Sequence, residues 1–196
     1  MINIGVLALQ GSIAEHVHSL SMIEGITPCE VKSASDLEKI SGLILPGGES
    51  TTIGKLIKDF ALTAPIIKRA KEGMPIWGTC AGMILMAKEI VNEGYVHLGI
   101  MDIAVRRNAY GSQLDSFNST ASIPIIAHED IPLVFIRAPW VETAGEQVRI
   151  LARVNHRIAA VQQDNMLATS FHPELTTNLA FHKYFTGMVK KYLICG

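Results

Sequence analysis

The chain has 196 residues, of which 48% are hydrophobic and 18% are charged. This length is enough to bury one sizeable apolar core, so the sequence predicts a single domain over residues 1–196. The 17 basic and 18 acidic residues nearly balance, which argues against a nucleic-acid partner, because such partners call for a marked excess of positive charge. The apolar runs are shorter than the roughly 18 residues of a membrane span, so no membrane association is predicted.

The cysteines and histidines indicate the cellular compartment and whether a metal site is expected. Cys29, Cys80 and Cys195 are odd in number and lack C-x-x-C spacing, which favours a reducing compartment over a disulfide framework. The first residues lack the features of a secretory signal peptide, so we expect a cytoplasmic protein. No histidine spacing is typical of a metal site. We therefore expect neither metal nor cofactor, and we interpret His16 and His182 as structural or surface groups.

The first half of the chain alternates between strand and helix patterns. A nearly unbroken apolar run from Ile2 to Leu9 predicts a buried parallel strand. Ser12-Ile13-Ala14-Glu15 has the form of a capping box, and Ser50 predicts a second helix N-cap. The other strands are predicted at Thr27 to Val31, Gly42 to Leu45 and Met74 to Thr79, and the other helices near Ser35 to Ile40, toward Phe60, before Gly73 and over Ala81 to Ile90.

The second half changes character. Short strand patterns separated by turn residues predict antiparallel additions, and Thr177 to Tyr192 predicts a last helix that packs on the sheet. These strands are predicted at Leu133 to Arg137, Val148 to Val154, Ile158 to Gln162 and Leu167 to Phe171. The whole pattern predicts an α/β fold of three layers, with a mostly parallel central sheet and helices on both faces. Ligands of such folds bind at the carboxyl ends of the strands.

A nucleophile elbow is predicted where the fourth strand meets its helix. Gly78-Thr79-Cys80-Ala81-Gly82 has the G-x-nucleophile-x-G form, with cysteine as the nucleophile. The start of a helix favours a thiolate, and the N–H of Ala81 points where an oxyanion would form. The motif alone also fits a packed thiol in a glycine-rich turn.

A base and its orienting acid are predicted in Phe171-His172-Pro173-Glu174. Residues two apart in an extended segment point the same way, so the Glu174 carboxylate can reach the His172 ring. Pro173 favours extended geometry at His172. Taken alone, the tripeptide also fits a surface histidine before a helix cap, so its combination with the elbow carries the prediction.

Pro46-Gly47-Gly48-Glu49-Ser50-Thr51-Thr52 follows the third predicted strand. Its backbone N–H groups could bind a carboxylate or complete an oxyanion hole with Ala81; an ordinary glycine turn is the alternative. A phosphate-binding Walker motif is excluded by the spacing to Gly54-Lys55 and by Leu56 in place of Ser or Thr.

These motifs resemble the class I, triad-type glutamine amidotransferases, and among them the glutaminase subunits of pyridoxal 5′-phosphate synthases. The resemblance spans nearly the whole chain. The segments that carry it are Leu7-Ala8-Leu9-Gln10-Gly11, Pro46 to Thr52, Gly78 to Gly82, Arg107-Asn108-Ala109-Tyr110-Gly111, Phe135-Ile136-Arg137-Ala138-Pro139 and Phe171 to Leu175. Ser112, Trp77 and Trp140 depart from the pattern expected of the family, and Ser112 stands where an arginine is frequent.

The resemblance implies that Cys80 attacks the side-chain amide of glutamine, His172 transfers protons and Glu174 orients His172, through a glutamyl thioester. Backbone groups of Gly48 and Ala81 would hold the oxyanion. The resemblance implies contacts to glutamine at Gly48, Glu49, Ser50, Arg107, Ile136 and Arg137. It also implies a partner, the synthase subunit that accepts the ammonia, with the region around Gln10 at the interface.

Three other functions remain to be distinguished. A class I glutaminase of another pathway, such as anthranilate or histidine synthesis, would share the triad but not the segments beginning at Arg107 and Phe135. A non-catalytic scaffold would not need Cys80, His172 and Glu174. A cysteine hydrolase of peptides or γ-glutamyl chains would work without a partner.

Overall fold

The computed structural model describes residues 1–107 and 116–195. Its strands are Ile2–Leu7 (β1), Ile26–Val31 (β2), Gly42–Leu45 (β3), Ile76–Thr79 (β4), Ala87–Ile90 (β5), Met101–Arg106 (β6), Ser116–Ala121 (β7), Ile131–Ile136 (β8), Trp140–Ala144 (β9), Arg149–Val154 (β10), Arg157–Gln163 (β11) and Met166–Thr169 (β12). Its helices are Ile13–Ser21 (α1), Ala34–Leu37 (α2), Ser50–Asp59 (α3), Thr63–Lys71 (α4), Ala81–Met86 (α5) and Ala180–Cys195 (α6), with a 3-10 turn at Pro173–Leu175.

The strands of the central sheet lie in the order β2-β1-β3-β4-β12-β11-β9-β6-β5, and β10 pairs with β11 outside this path. The five strands from β2 to β12 are mutually parallel. Beyond β12 the pairings of β11, β9 and β6 are antiparallel, and β5 is parallel to β6. Strands β7 and β8 form a separate antiparallel hairpin. The predicted α/β fold is confirmed.

Apolar side chains fill both faces of the sheet. In β3, Leu43 and Leu45 join a core with α2, α3, α4 and α5, whereas Ile44 joins a core with α1, α6 and the β7–β8 hairpin. This alternation follows from the period of two in a strand. Each fully buried Leu or Ile contributes about 1.5–3 kcal/mol. Layers on both faces therefore shield the parallel strands from water.

Three predictions for the first half were wrong. The helix that begins at Ala81 ends at Met86, because Ala87–Ile90 leaves it to pair with β6 as a strand with Lys88 and Glu89 exposed. Ser12 is not part of a capping box, since its side chain makes no cap hydrogen bond. The N-cap of α3 is Glu49 rather than Ser50, with the Glu49 carboxylate accepting from Thr51 N and Thr52 N.

In the second half of the chain, the predicted direction of one strand was wrong. The segment Leu167 to Phe171 was predicted as an antiparallel addition, but β12 is parallel to β4 and antiparallel only to β11. A short apolar run carries no sign of strand direction. Strands β6, β7 and β9 were also missed. The last helix packs as predicted, through Phe181, Phe185 and Val189.

Within residues 1–107 and 116–195, no helix is both long enough and apolar enough to cross a membrane. The motif residues Asn108 to Gly111, and Ser112, lie outside the described ranges. Trp77 is fully buried beside Phe181 and Phe185, and its Nε1 donates to Thr169 Oγ1 at 3.2 Å. The Arg157 guanidinium lies over the Trp140 ring, 3.5 Å from the ring centroid.

Candidate active site

Cys80 stands at the sharp bend between β4 and α5. Its backbone has φ 49° and ψ −104°, a region that residues with a side chain rarely occupy outside functional sites. Close packing by glycine permits the bend: a Cβ on Gly82 would lie 2.0 Å from the carbonyl oxygen of Leu45, and one on Gly78 would lie 2.4 Å from the backbone of Gly82. The predicted elbow is present, and it projects Cys80 at the carboxyl edge of the sheet.

The parallel pairing of β12 with β4 brings the second motif to the same edge. Thr169 pairs with Thr79 in the register of the two strands, and Cys80 N donates to Thr169 O at 2.8 Å. Two residues after Ser170, His172 N donates to Val134 O of the hairpin at 2.8 Å. Strand pairing on one side and the hairpin on the other therefore position the His172 backbone beside Cys80.

His172 and Glu174 form a buried pair, with Nδ1 of the ring 2.7 Å from Oε1 of the carboxylate. The reason given from the sequence was partly wrong, because Pro173 and Glu174 lie in a 3-10 turn rather than an extended segment. Burial lowers the pKa of His172, but hydrogen bonds to Cys80 and Glu174 outweigh it and raise that pKa to about 10. This balance favours the protonated ring, which the Glu174 carboxylate stabilises.

The Glu174 carboxylate is fully buried and is contacted from two further sides. Ser12 Oγ donates to Oε1 at 2.6 Å, and His16 Nε2 lies 3.4 Å from Oε2. Burial raises the pKa of Glu174, yet His16, His172 and Ser12 together lower it to about 2. Glu174 is therefore an anion at neutral pH and can stabilise a protonated His172.

A cleft of about 300 Å³ opens in front of Cys80, at the small end of the range for small-molecule sites. It brings together every residue predicted for the site except Glu174, which lies behind His172. The lining residues are Gln10, Gly48, Glu49, Ser50, Cys80, Ala81, Ile84, Arg107, Ile136, Arg137, Pro139 and His172. Ile84 and Pro139 are the two that the site prediction did not include.

The glycine loop after β3 is held by the segment after β1. Gly47 O accepts from Ser12 N at 3.0 Å, and Glu49 N donates to Gln10 Oε1 at 2.9 Å. A Cβ on Gly11 would lie 1.9 Å from Gly47 O, so only glycine fits there. Because a planar trans peptide points its N–H away from its carbonyl, the Gly48 N–H points away from Ser12.

Opposite charges face each other across the cleft. Arg107 Nη2 donates to Glu49 Oε1 at 3.3 Å, and Nη1 contacts Tyr95 OH at 2.9 Å and Glu93 at 3.6 Å. Burial raises the pKa of Glu49, but the amides of Thr51 and Thr52 and the charge of Arg107 leave it lowered. The site thus offers a carboxylate and a guanidinium, which match the two charges of an amino acid.

Arg137, which lines the cleft, has a strained backbone with φ 42°. The bend follows Ile136, whose carbonyl oxygen lies 3.9 Å from Cys80 Sγ. Ile136 and Arg137, for which the resemblance implies contacts to glutamine, both line the cleft.

Sequence reasoning missed a buried polar group behind Glu174, which we call the inner cluster: His16, Thr79 and His182. His16 Nδ1 lies 3.0 Å from His182 Nε2, and His16 Nε2 lies 3.1 Å from Thr79 Oγ1. Both histidines are fully buried. The available signal was position: His16 precedes Leu20 by one helical turn and so lies on the inner face of α1.

The fold is that of a glutamine amidotransferase, with a cysteine at the elbow between β4 and α5. A crystal structure of a glutamine amidotransferase superposes with a TM-score of 0.90 at 42% identity, covering 95% of this chain and 98% of that one. The family model described as the SNO glutamine amidotransferase family matches residues 6–191. The chain belongs to this family.

Curated relatives are similar over nearly their whole length. The pyridoxal 5′-phosphate synthase subunit PdxT of a Thermoanaerobacter species is 58% identical over 182 residues, 93% of this chain and 96% of that protein. The subunit of the same name from Ruminiclostridium cellulolyticum is 53% identical over 189 residues, 96% of this chain and 100% of that protein.

Proposed function

We propose that the chain is a single glutaminase domain that hydrolyses glutamine to glutamate and ammonia with Cys80, His172 and Glu174. One observation carries the proposal: the parallel pairing of β12 with β4 places His172 against Cys80, and Glu174 lies 2.7 Å behind the ring. Nucleophile, base and orienting acid are the parts that acyl transfer through a thiol requires. Membership of a glutamine amidotransferase family supplies the substrate.

The reaction proceeds in two steps, formation of a thioester and its hydrolysis. Sγ of Cys80 forms a bond to the amide carbon, the thiol proton passes to His172, and His172 returns it to the departing nitrogen as the C–N bond breaks. Ammonia leaves and a glutamyl thioester remains. Water then adds to the thioester, His172 passes a water proton to Sγ, and glutamate is released. Glu174 stabilises the imidazolium formed in each step.

The cleft supplies binding and charge stabilisation. The N–H groups of Gly48 and Ala81 hold the oxyanion of each tetrahedral intermediate. Arg107 or Arg137 binds the α-carboxylate, since a guanidinium pairs with that group through two hydrogen bonds, and Glu49 binds the α-ammonium group. The remaining contacts come from Ser50 and Ile136.

The partner is the synthase subunit of a pyridoxal 5′-phosphate synthase, in the cytoplasm. Support comes from relatives that are themselves named as subunits of this synthase. Ammonia released into water at neutral pH becomes mostly ammonium, which has no lone pair for attack on a carbonyl. Delivery within a docked complex keeps the nucleophilic form, and Gln10, at the rim of the cleft, lies in the interface.

Glutamate release by the purified chain, alone and with its cognate synthase subunit, tests the proposal. We expect the synthase to raise the rate and Cys80→Ala to abolish it in a chain that still folds. Full turnover by Cys80→Ala would overturn the triad. Strong activity indifferent to the synthase would instead indicate a free-standing hydrolase or a glutaminase of another pathway.

A further inference from the structure

The second oxygen of the Glu174 carboxylate poses a problem for the triad. Oε1 is bound by His172 and Ser12, whereas Oε2 is buried and has no aligned hydrogen-bond donor among residues 1–107 and 116–195. A buried carboxylate oxygen without a donor destabilises the ionised form. The polar atom that the structure places against Oε2 is Nε2 of His16, at 3.4 Å.

The surroundings of His16 decide which of its nitrogens carries the proton. An unprotonated Nε2 would direct its lone pair at the anionic Oε2, so the proton must lie on Nε2, where Thr79 Oγ1 also accepts it at 3.1 Å. Nδ1 of His16 is then an acceptor, and Nε2 of His182 donates to it across 3.0 Å. His182 Nδ1 is left as a buried acceptor without a partner in the described chain.

We propose that His16 is a positioning residue of the glutaminase, which holds Glu174 by presenting its Nε2–H to Oε2 in a tautomer that His182 selects. The assignment rests on the triad proposed above. One line of polar contacts then runs through Cys80, His172, Glu174, His16 and His182. In each imidazole ring of this line, the contacts determine which nitrogen carries a proton. His16 does not line the cleft, so it acts on the reaction through Glu174 and not on glutamine itself.

Burial keeps both rings of the inner cluster neutral. It lowers the pKa of His16, against the attraction of Glu174 and Glu15 and with the repulsion of His172, and it lowers the pKa of His182 to about 3. These are the charged and titratable groups that act on His16 from α1, α6 and the 3-10 turn. A neutral His16 has one N–H to donate, and the Glu174 carboxylate is the anion that attracts it.

Three substitutions at one position test the role. In His16→Gln the side-chain amide reaches the place of Nε2, in His16→Asn it reaches only that of Nδ1, and in His16→Leu no donor remains. We expect the Leu and Asn variants to lose about tenfold or more in kcat, the loss expected for a hydrogen bond to a charged group, with KM for glutamine within about twofold. The Gln variant should retain most of the wild-type kcat.

A second readout is the pH profile of kcat/KM, measured with the synthase subunit present. Without the His16 donor the acid limb should move to higher pH in the Leu and Asn variants, because Glu174 becomes easier to protonate, and Gln should restore it. His18→Leu, an exposed histidine of the same helix, is the matched control and should leave the profile unchanged. Equal losses in Gln and Asn, or an acid limb that does not move, would overturn the role.

Nuclear magnetic resonance of isotope-labelled histidines gives a test that needs neither turnover nor partner. The ring nitrogen shifts should identify His16 and His182 as neutral Nε2–H tautomers near neutral pH. Protonation of His16 on Nδ1 would overturn the proposal even if the wild-type protein hydrolyses glutamine. Correct tautomers in a chain without glutaminase activity would overturn the proposed function and not the geometry.

Discussion

At the residue scale, the elbow depends on glycines that leave no room for a side chain. A methyl group on Gly82 would meet the Leu45 carbonyl, which is part of β3 and cannot move aside as a flexible side chain could. The strained φ of Cys80 is therefore maintained by packing around it rather than by its own preference. Sequence reasoning found this bend because the G-x-C-x-G spacing reports the packing directly.

A substitution at this point has a clear expected outcome. Gly82→Ala should lower the free energy of unfolding by about 1–3 kcal/mol or more, as overpacking does, and should reduce glutaminase activity by displacing Cys80. Gly187→Ala in α6 is the control, because no atom lies within 4 Å of its added Cβ and alanine favours a helix by about 1 kcal/mol. Denaturant unfolding of both variants measures the difference, and equal stabilities would contradict the packing argument.

At the element scale, two serines that both precede helices have different roles. Ser33 caps α2 in a true capping box with Asp36, whereas Ser12 precedes α1 with φ −77° and ψ 60° and donates to Glu174 instead. Both satisfy the same sequence pattern. The pattern failed at Ser12 because an ionised carboxylate, 162 residues away in sequence, competes for the hydroxyl.

Alanine substitutions should separate these roles. Ser33→Ala should cost about 1 kcal/mol of stability, the usual value of a cap, and should leave glutamine hydrolysis unchanged. Ser12→Ala removes no cap but takes a hydrogen-bond donor from the buried Glu174 carboxylate, so we expect reduced kcat together with a loss of stability at least as large as that of Ser33→Ala. Paired unfolding and glutamate-release assays check both, and a Ser12→Ala enzyme of full activity would exclude a role for the hydroxyl in holding Glu174.

The same distinction explains what could be predicted from the sequence. Cys80 and His172 follow from short motifs whose meaning is local, and the residues expected to contact glutamine follow from the resemblance to the family. The direction of β12 depends on which distant strands pair with it, and nothing in a four-residue apolar strand reveals that. The burial of His16 was indicated only by its position one helical turn before Leu20. The hairpin strand β7 was missed because its alternating exposure comes from serine, asparagine and threonine rather than from an apolar pattern.

At the scale of the whole molecule, the titrating groups at the site link stability to pH. Burial lowers the pKa of His16 and takes that of His182 from 6.5 to about 3, so the unfolded chain binds more protons below pH 6.5 and stability falls as acid is added. Glu174, lowered from 4.5 to about 2, adds to this loss below pH 4.5. His172 changes stability in the opposite direction. Because its pKa is raised from 6.5 to about 10 in the folded chain, its protonated ring stabilises the fold, and this stability is lost as pH rises from 6.5 to 10.

Thermal unfolding across the pH range should therefore show a maximum close to neutrality. Replacing His182 with Gln should flatten the acid side, and Cys80→Ala, which removes a hydrogen bond that raises the pKa of His172, should flatten the alkaline side. A melting temperature that rises steadily on acidification in the wild-type protein would contradict the assignment.

The coupling to the partner also belongs to the whole molecule. Gln10 accepts from Glu49 N in the loop that carries Gly48, so its side chain connects the segment after β1 to the proposed oxyanion site. Gln10→Ala should weaken stimulation by the synthase subunit more than it weakens folding. Stimulation curves set beside unfolding curves give the measurement, and an unchanged stimulation curve would count against an interface role.

The long separations within the site bear on how the protein is made. Ser12 meets Glu174 across 162 positions, and His16 meets His182 across 166. Cys80 is synthesised well before His172 and Glu174, so the thiol has no base until the chain is nearly complete. His172 reaches Cys80 only when β12 pairs with β4, so a chain that stops before His172 has a thiol without its base.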